Sequence, residues 1–293
     1  MSQTQENKIE MMMVELMFKS RPQTPTTDRF RKALEKYLVD LGEVPYAETS
    51  KESNGDMFMF PLLKHKVILQ DKPEGVPVMA TYLAATDKQG IKVDEMQQYQ
   101  FWDVPNAKEL IQECKHTILV NTMLGAALSY EEQAEIILAQ VDAALDCYPE
   151  CIGIYANQSG KLITPEAFRE HKKYGLAERF IHLFVNARFF NVSDNGEMVV
   201  DTLGFNVFGG ADVQVHFKEL DPNHVVRYVY NIASYQFENG FPIESGETID
   251  SIDENGDMQV TPQWEVQYEQ ALIDPVRTVL DICCGEYAGG NRE

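Results

Sequence analysis

Positive charge is what this sequence has least of. Its 293 residues carry 25 lysines and arginines against 46 acids, a formal net charge of −21. A field of that sign repels phosphate backbones, so neither nucleic acid nor an anionic membrane surface is expected as a direct partner. What it would steer in is a basic protein. Cysteine is sparse as well. The five present are an odd number in a long chain; Cys147 and Cys151 are four apart, Cys283 and Cys284 are adjacent, and no CxxC spacing occurs. That pattern argues against a disulfide framework or a zinc site and for reduced, buried thiols in a cytoplasmic protein. Long apolar runs are missing too. The most apolar stretch, TILVNTMLGAALSY, is short and interrupted by Asn121 and Thr122, so no membrane span is expected. The opening MSQTQENKIEMMMVELMF lacks a basic segment followed by a sustained apolar core, so no secretory leader is expected either.

Catalytic and cofactor motifs are also wanting. GIYANQSGKLIT has six residues between Gly153 and Gly160, and Leu162 follows Lys161 where a phosphate loop needs Ser or Thr for magnesium. GFNVFGG lacks the GxGxxG spacing of a dinucleotide site. SIDENGDMQVTP resembles a calcium loop until its ends are read: Ser251 stands where an Asp should open it, and Pro262 where a bidentate Glu should close it. Its Asn255-Gly256 is better read as a hairpin turn, as are Asn54-Gly55 and Asn195-Gly196, each followed by an acid and a methionine. There is no GxSxG, and the six histidines form no HExxH or HxxxH pair. No cofactor and no metal is expected. His182 and His216 fall in stretches read as strands, where a hydrogen-bonded structural role is the ordinary one.

What is present is an alternation of strand and helix patterns. MMMVELMF (11–18) reads as a buried strand, followed by a helix with Phe30, Ala33, Leu34, Tyr37, Leu38 and Leu41 on one stripe. Strands are expected at Met57–Phe60, Lys66–Gln70 and Val78–Ala84. Residues 86–114 read as a connector with short helices, and as the internal boundary between units 11–100 and 114–284, with one integrated domain as the alternative. A strand at His116–Met123 leads to the S-x-x-E capping box of Ser129 and Glu132. The helix it opens turns Ala134, Ile137, Leu138, Val141 and Leu145 inwards and Glu131, Glu135 and Asp142 outwards. A strand CIGIYA and a short helix at Thr164-Pro165 follow. From Ile181 the pattern reads as three strands, then a helix from Asp221-Pro222 to about Asn239, then two more strands and a mobile tail GEYAGGNRE. The expected class is α+β, with mainly antiparallel sheets and packed helices in two similar strand-helix-meander units.

The long C-terminal helix offers the best candidate surface. His224, Arg227, Asn231, Tyr235 and Glu238 lie on one stripe at helical spacing, opposite Val225, Val229, Ile232 and Phe237. The bland alternative is a solvated helix face. Asp201, at the end of a strand, is a further candidate binding residue, as is His216.

GEMVVDTLGF, VQVHFKELDPNHV, YNIASYQFENG, PIESGETI and VLDI, with CKHTILV and SGKLITPEAF upstream, together resemble a bacterial family catalogued as domain of unknown function 4261. The likeness spans roughly residues 11–283 and is best from Arg179 onward, where the D-T-L-G, H-F, L-D-P-N and E-N-G motifs stand intact. It implies an α+β protein with no catalytic residues to carry over. The ENG…IESGET region is also similar to suppressor-of-fused-type domains, which occur among bacterial immunity and interaction proteins. The expectation is therefore a protein-binding module, with an immunity-type role as its narrower form. The alternative is a hydrolase-like enzyme using Asp201, His216 and Glu238.

Overall fold

Alternating and continuous apolar runs must bury themselves in sheets, and the computed structural model holds two of them. It describes residues 11–43, 46–48 (backbone only), 57–84, 90–192 and 196–290. The contacts divide the chain between Leu183 and Phe184.

The first unit contains β1 (Met13–Phe18), α1 (Thr27–Leu34), β2 (Tyr46–Glu48), β3 (Met57–Leu69), β4 (Lys72–Ala84), α2 (Glu95–Gln98), α3 (Ala107–Glu113) and β5 (His116–Met123). It continues with α4 (Tyr130–Cys147), β6 (Gly153–Ala156), β7 (Lys161–Ile163), α5 (Pro165–Glu170) and α6 (Leu176–Phe184). Its sheet runs β2-β3-β4-β5-β1-β6-β7, antiparallel throughout. The apolar β1 sits between β5 and β6, with Val14, Leu16, Met17 and Phe18 fully buried. The three strands expected between residues 57 and 84 are two, because the polar stretch at Lys64 and His65 is absorbed by a register shift within β3 instead of ending it.

Helix α4 starts where the sequence places it. Ser129 accepts a hydrogen bond from the Glu132 amide, and the Glu132 side chain accepts one from the Ser129 amide. Of its 18 residues, 13 are buried, so it has no wide solvent face. Asp142, expected to point outwards, is therefore buried and paired with Arg179 and Lys172, each at 2.8 Å. The connector of residues 86–114 does contain short helices, but as described from Gly90 onward it is no boundary. Ile91, Phe101, Val104, Ala107, Leu110 and Cys114 pack with Met17, Tyr155 and Leu162 in one cluster.

The second unit comprises β8 (Asn186–Asn191), β9 (Met198–Leu203), β10 (Asp212–Phe217), α7 (Pro222–Glu238), β11 (Thr248–Ile252), β12 (Met258–Gln270) and β13 (Thr278–Cys283). Its sheet order is β11-β12-β13-β10-β9-β8, with only β10 and β13 parallel. The stretch Ile181–Phe184, expected as strand, is the end of α6. Ala177, Phe180, Ile181 and Phe184 are buried at helical spacing, and that rhythm outweighs their β propensity. Two of the Asn-Gly turns lie at least partly outside the described residues. At the third, Gly256 has φ +80 and donates to the Asp253 carbonyl at 3.0 Å, closing the β11–β12 hairpin. All three Asn-Gly-acid-Met motifs deliver their methionine as the first residue of a strand: Met57, Met198 and Met258. Among the described residues no helix is long and apolar enough to cross a membrane.

Candidate functional site

The side-chain alternation of the second sheet separates two faces. One carries Val200, Val213, Val215, Leu280, Ile282, Val266 and Trp264, all buried and apolar. Helix α7 packs on it, with Tyr228 set edge-on to Trp264 at 5.4 Å between ring centres. The other face carries, beside the buried Val199 and Val279, a set of polar groups. The pairing register lines up Arg188 of β8, Asp201 of β9, Gln214 of β10, Asp281 of β13 and Gln267 of β12 in a single transverse row. All but Gln267 are buried.

A row of buried polar groups has to satisfy itself, and this one does so through the segment 271–277 between β12 and β13. Arg188 grips Asp201 with both arms, Nε to Oδ1 at 2.8 Å and Nη2 to Oδ2 at 2.5 Å, and donates through Nη1 to the Asp274 carbonyl at 2.8 Å. Arg277 reaches in from the segment. It donates to Asp201 Oδ2 at 2.8 Å, to Asp212 Oδ2 at 3.0 Å, and to the carbonyls of Thr202, Ile273 and Pro275. The Gln214 amide bridges Asp281 Oδ1 at 2.7 Å and the Leu272 N–H at 2.8 Å. Asp212 also accepts from the Phe205 amide at 3.1 Å and the Thr202 hydroxyl at 3.3 Å. Burial pushes the Asp212 carboxyl above its ordinary range, with Arg277 as the largest opposing pull. Burial disfavours charge on Arg277 as well, but Asp212 and Asp201 outweigh it and hold the guanidinium above its usual value.

This arrangement decides what the carboxylate can do. Asp201 is fully buried, and both its oxygens are occupied by guanidinium groups, so it ties the segment 271–277 to the sheet and is not placed as a general base. His216 lies on the same face, on the strand beside Asp201, with Nε2 3.0 Å from Glu197 Oε2. The chain end expected to be mobile is placed through Gly290. Gly289 donates its amide to the His216 carbonyl at 2.9 Å, and Gly289 and Gly290 lie against the imidazole, where a Cβ on Gly289 would come within 2.5 Å of the ring. Glu238, in the last turn of α7, belongs to the opposite face and is exposed. The three residues of the hydrolase alternative are thus not gathered into one pocket.

The expected α7 stripe is real as geometry. Arg227, Asn231, Tyr235 and Glu238 are exposed and His224 is half-buried, while Val225, Val229, Ile232 and Phe237 face the sheet. His182 is on a helix, 5.9 Å ring to ring from His171. Burial, then the charges of His171 and Lys161, lower its pKa. In the calcium-like loop, Asp253 accepts from the amides of Asn255 and Asp257 and from the Gln259 side chain, so its oxygens serve the turn. Among the described residues no group of three or more His, Cys, Asp or Glu side chains converges as a metal site.

Arg188, Asp212, Gln214, Arg277 and Asp281 were not singled out by the sequence. The signal was there: a charge inside an otherwise apolar strand, as in ADVQVHF and TVLDIC, needs a buried hydrogen-bonding or charged partner.

Residues 201–283 match the model of a family described as Domain of unknown function (DUF4261). The match begins at Asp201 and takes in Asp212, Gln214, Arg277 and Asp281, so four strands' worth of the polar row other than Arg188 lie inside it. The resemblance read from the D-T-L-G, L-D-P-N and E-N-G motifs holds over that segment. No curated protein and no solved structure matches the chain.

Proposed function

We propose that the protein is a binding module that docks a basic partner protein through the outer stripe of α7, in the manner of an immunity or sequestering protein. The observation that carries this reading is the rigid presentation of Arg227, Asn231, Tyr235 and Glu238. A 17-residue helix fixed to its sheet by seven buried residues holds them in place. Tyr and Arg are the residue types that most often dominate binding energy, and a helix of this kind presents them at low entropic cost. The charge of −21 supplies long-range steering towards a positive partner, speeding encounter at low salt.

The test is capture by the immobilised protein at low and at high salt, with Arg227→Ala/Tyr235→Ala alongside. The reading expects a partner retained at low salt, weakened at high salt, and reduced about tenfold by the double substitution. If nothing is retained at low salt, or the double variant retains it equally, the reading fails.

A further inference from the structure

The first unit bears a second surface that the α7 reading does not use. Three large apolar side chains stand out within seven residues: Met96 is 60% exposed, Tyr99 70% and Trp102 57%. The other tryptophan, Trp264, is only 3% exposed, so an exposed indole is not the habit of this chain. Met96 and Tyr99 are three apart on the turn of α2, and the Tyr99 amide donates to the Met96 carbonyl at 3.2 Å.

The segment is not a loose loop. Gln100 and Phe101, directly between Tyr99 and Trp102, are buried, and Phe101 joins Val104, Ala107 and Leu110 in the cluster around Met17, Tyr155 and Leu162. An Asp94–Gln97 capping box fixes the start of α2, with Asp94 Oδ1 accepting the Gln97 amide at 2.7 Å. Beside Trp102, Asp103 is tied to the buried Lys161. A pinned backbone that turns Tyr and Trp outwards has already met much of the ordering cost of binding.

The charge around it selects the occupant. Of the five acids between Ile91 and Glu113, Asp103 is paired with Lys161 and Glu113 with Lys19, whereas Asp94 and Glu95, both exposed, stand directly before Met96. Aromatic faces bordered by carboxylates suit arginine and lysine side chains, whose aliphatic stems cover the rings while their cationic heads meet ring and acid together.

We propose that Met96, Tyr99 and Trp102 form a docking platform for an Arg- or Lys-rich segment of a partner protein. It shares with the preceding section only the premise that this is a binding protein. The residues are different, and they lie outside the segment that matches the family model.

The test titrates the full chain at low salt with a short peptide repeating Arg-Arg-Leu, following tryptophan emission, with Trp102→Phe subtracted to remove Trp264. Saturable quenching is expected. It should weaken about tenfold in Met96→Ala/Tyr99→Ala, which keeps Trp102 as the reporter, and more modestly in Glu95→Gln. Glu131→Gln/Glu135→Gln, which removes exposed acids on α4, should leave it nearly unchanged. Each substituted side chain is exposed, and circular dichroism confirms that the variants are folded. Equal weakening by the α4 variant would reduce the effect to general charge and overturn the platform. So would an unaltered titration in Met96→Ala/Tyr99→Ala. Quenching by phosphatidylcholine vesicles but not by the peptide would assign the surface to a membrane and overturn it equally. Loss of the α7 interaction in Arg227→Ala/Tyr235→Ala leaves this titration untouched, so the two readings fail separately.

Discussion

Replacing Arg277 by methionine keeps the aliphatic stem and removes the guanidinium from a site where its side chain is 3% exposed. Asp201 retains the two-armed grip of Arg188, but Asp212 loses its ion pair with Arg277 and stays fully buried. Breaking one side of a buried pair costs about 3–5 kcal/mol, since the remaining charge is uncompensated. A ceiling comes from the alternative open to Asp212, which is to take up a proton. Neutralising a carboxyl of ordinary pKa about 3.9 at about pH 7 costs roughly 4 kcal/mol, at 1.36 kcal/mol per unit. The two routes agree. For a unit of about a hundred residues each kcal/mol moves the transition by about 4 °C or more, so the melting temperature should fall by at least about 12 °C. The variant also carries a signature. With Arg277 gone, the folded-state pKa of Asp212, already raised by burial, rises further above its unfolded value. Between those two values the folded state holds one proton more than the unfolded state, so stability falls as pH rises, by up to about 1.4 kcal/mol per unit. Relative to the parent, the variant should therefore recover as pH is lowered from 7 towards 5. Asp212→Asn/Arg277→Met should regain at least half of the loss at pH 7, because an amide can still accept from the Phe205 amide and the Thr202 hydroxyl. Urea unfolding across this pH range is the assay. A penalty under about 1 kcal/mol, or one independent of pH and not relieved by Asp212→Asn, would refute the charge-balance account.

Three further outcomes follow from local geometry. Gly256→Ala should destabilise by about 2 kcal/mol, because φ is +80 and a Cβ would stand 2.6 Å from Cγ of His224; adding His224→Ala should relieve the contact but not the backbone strain, leaving about half the loss in urea titrations. Native alkylation with iodoacetamide near pH 8, read by peptide mass spectrometry, should label the half-exposed Cys283 first. Burial pushes the thiols of Cys147 to about 11 and of Cys151 and Cys284 to about 12, so rapid labelling of Cys151 would contradict the packing around it. Ser129→Ala should cost about 1 kcal/mol by opening the capping box of α4, measured as a shift in the urea midpoint at constant slope.

How much of this was legible before folding depends on the range over which each signal acts. Caps are local, and Ser129, Thr164 and Asp221 begin their helices where the sequence puts them, because each needs only an amide two or three residues on. Periodicity is legible when long, as on α7, and ambiguous when short: the apolar IHLFV beginning at Ile181 fits a strand until Ala177 and Phe180 are counted with it. Division of the chain was out of reach because β1 pairs with β5 and β6, from Phe18 to His116 and beyond, and that distant pairing draws the 90–114 connector into the first core.

The site was half legible for the same reason. Asp201 drew notice as an acid at the end of an apolar strand, but what the carboxylate does depends on Arg188, Arg277 and the register that brings them within 2.8 Å of it. An acid read alone suggests a general base. Held by two arginines under the 271–277 segment, the same acid fixes a loop to a sheet. On the proposed reading a partner meets exposed side chains such as Tyr235, because Arg188, Asp201, Asp212 and Arg277 are buried and already spent on one another.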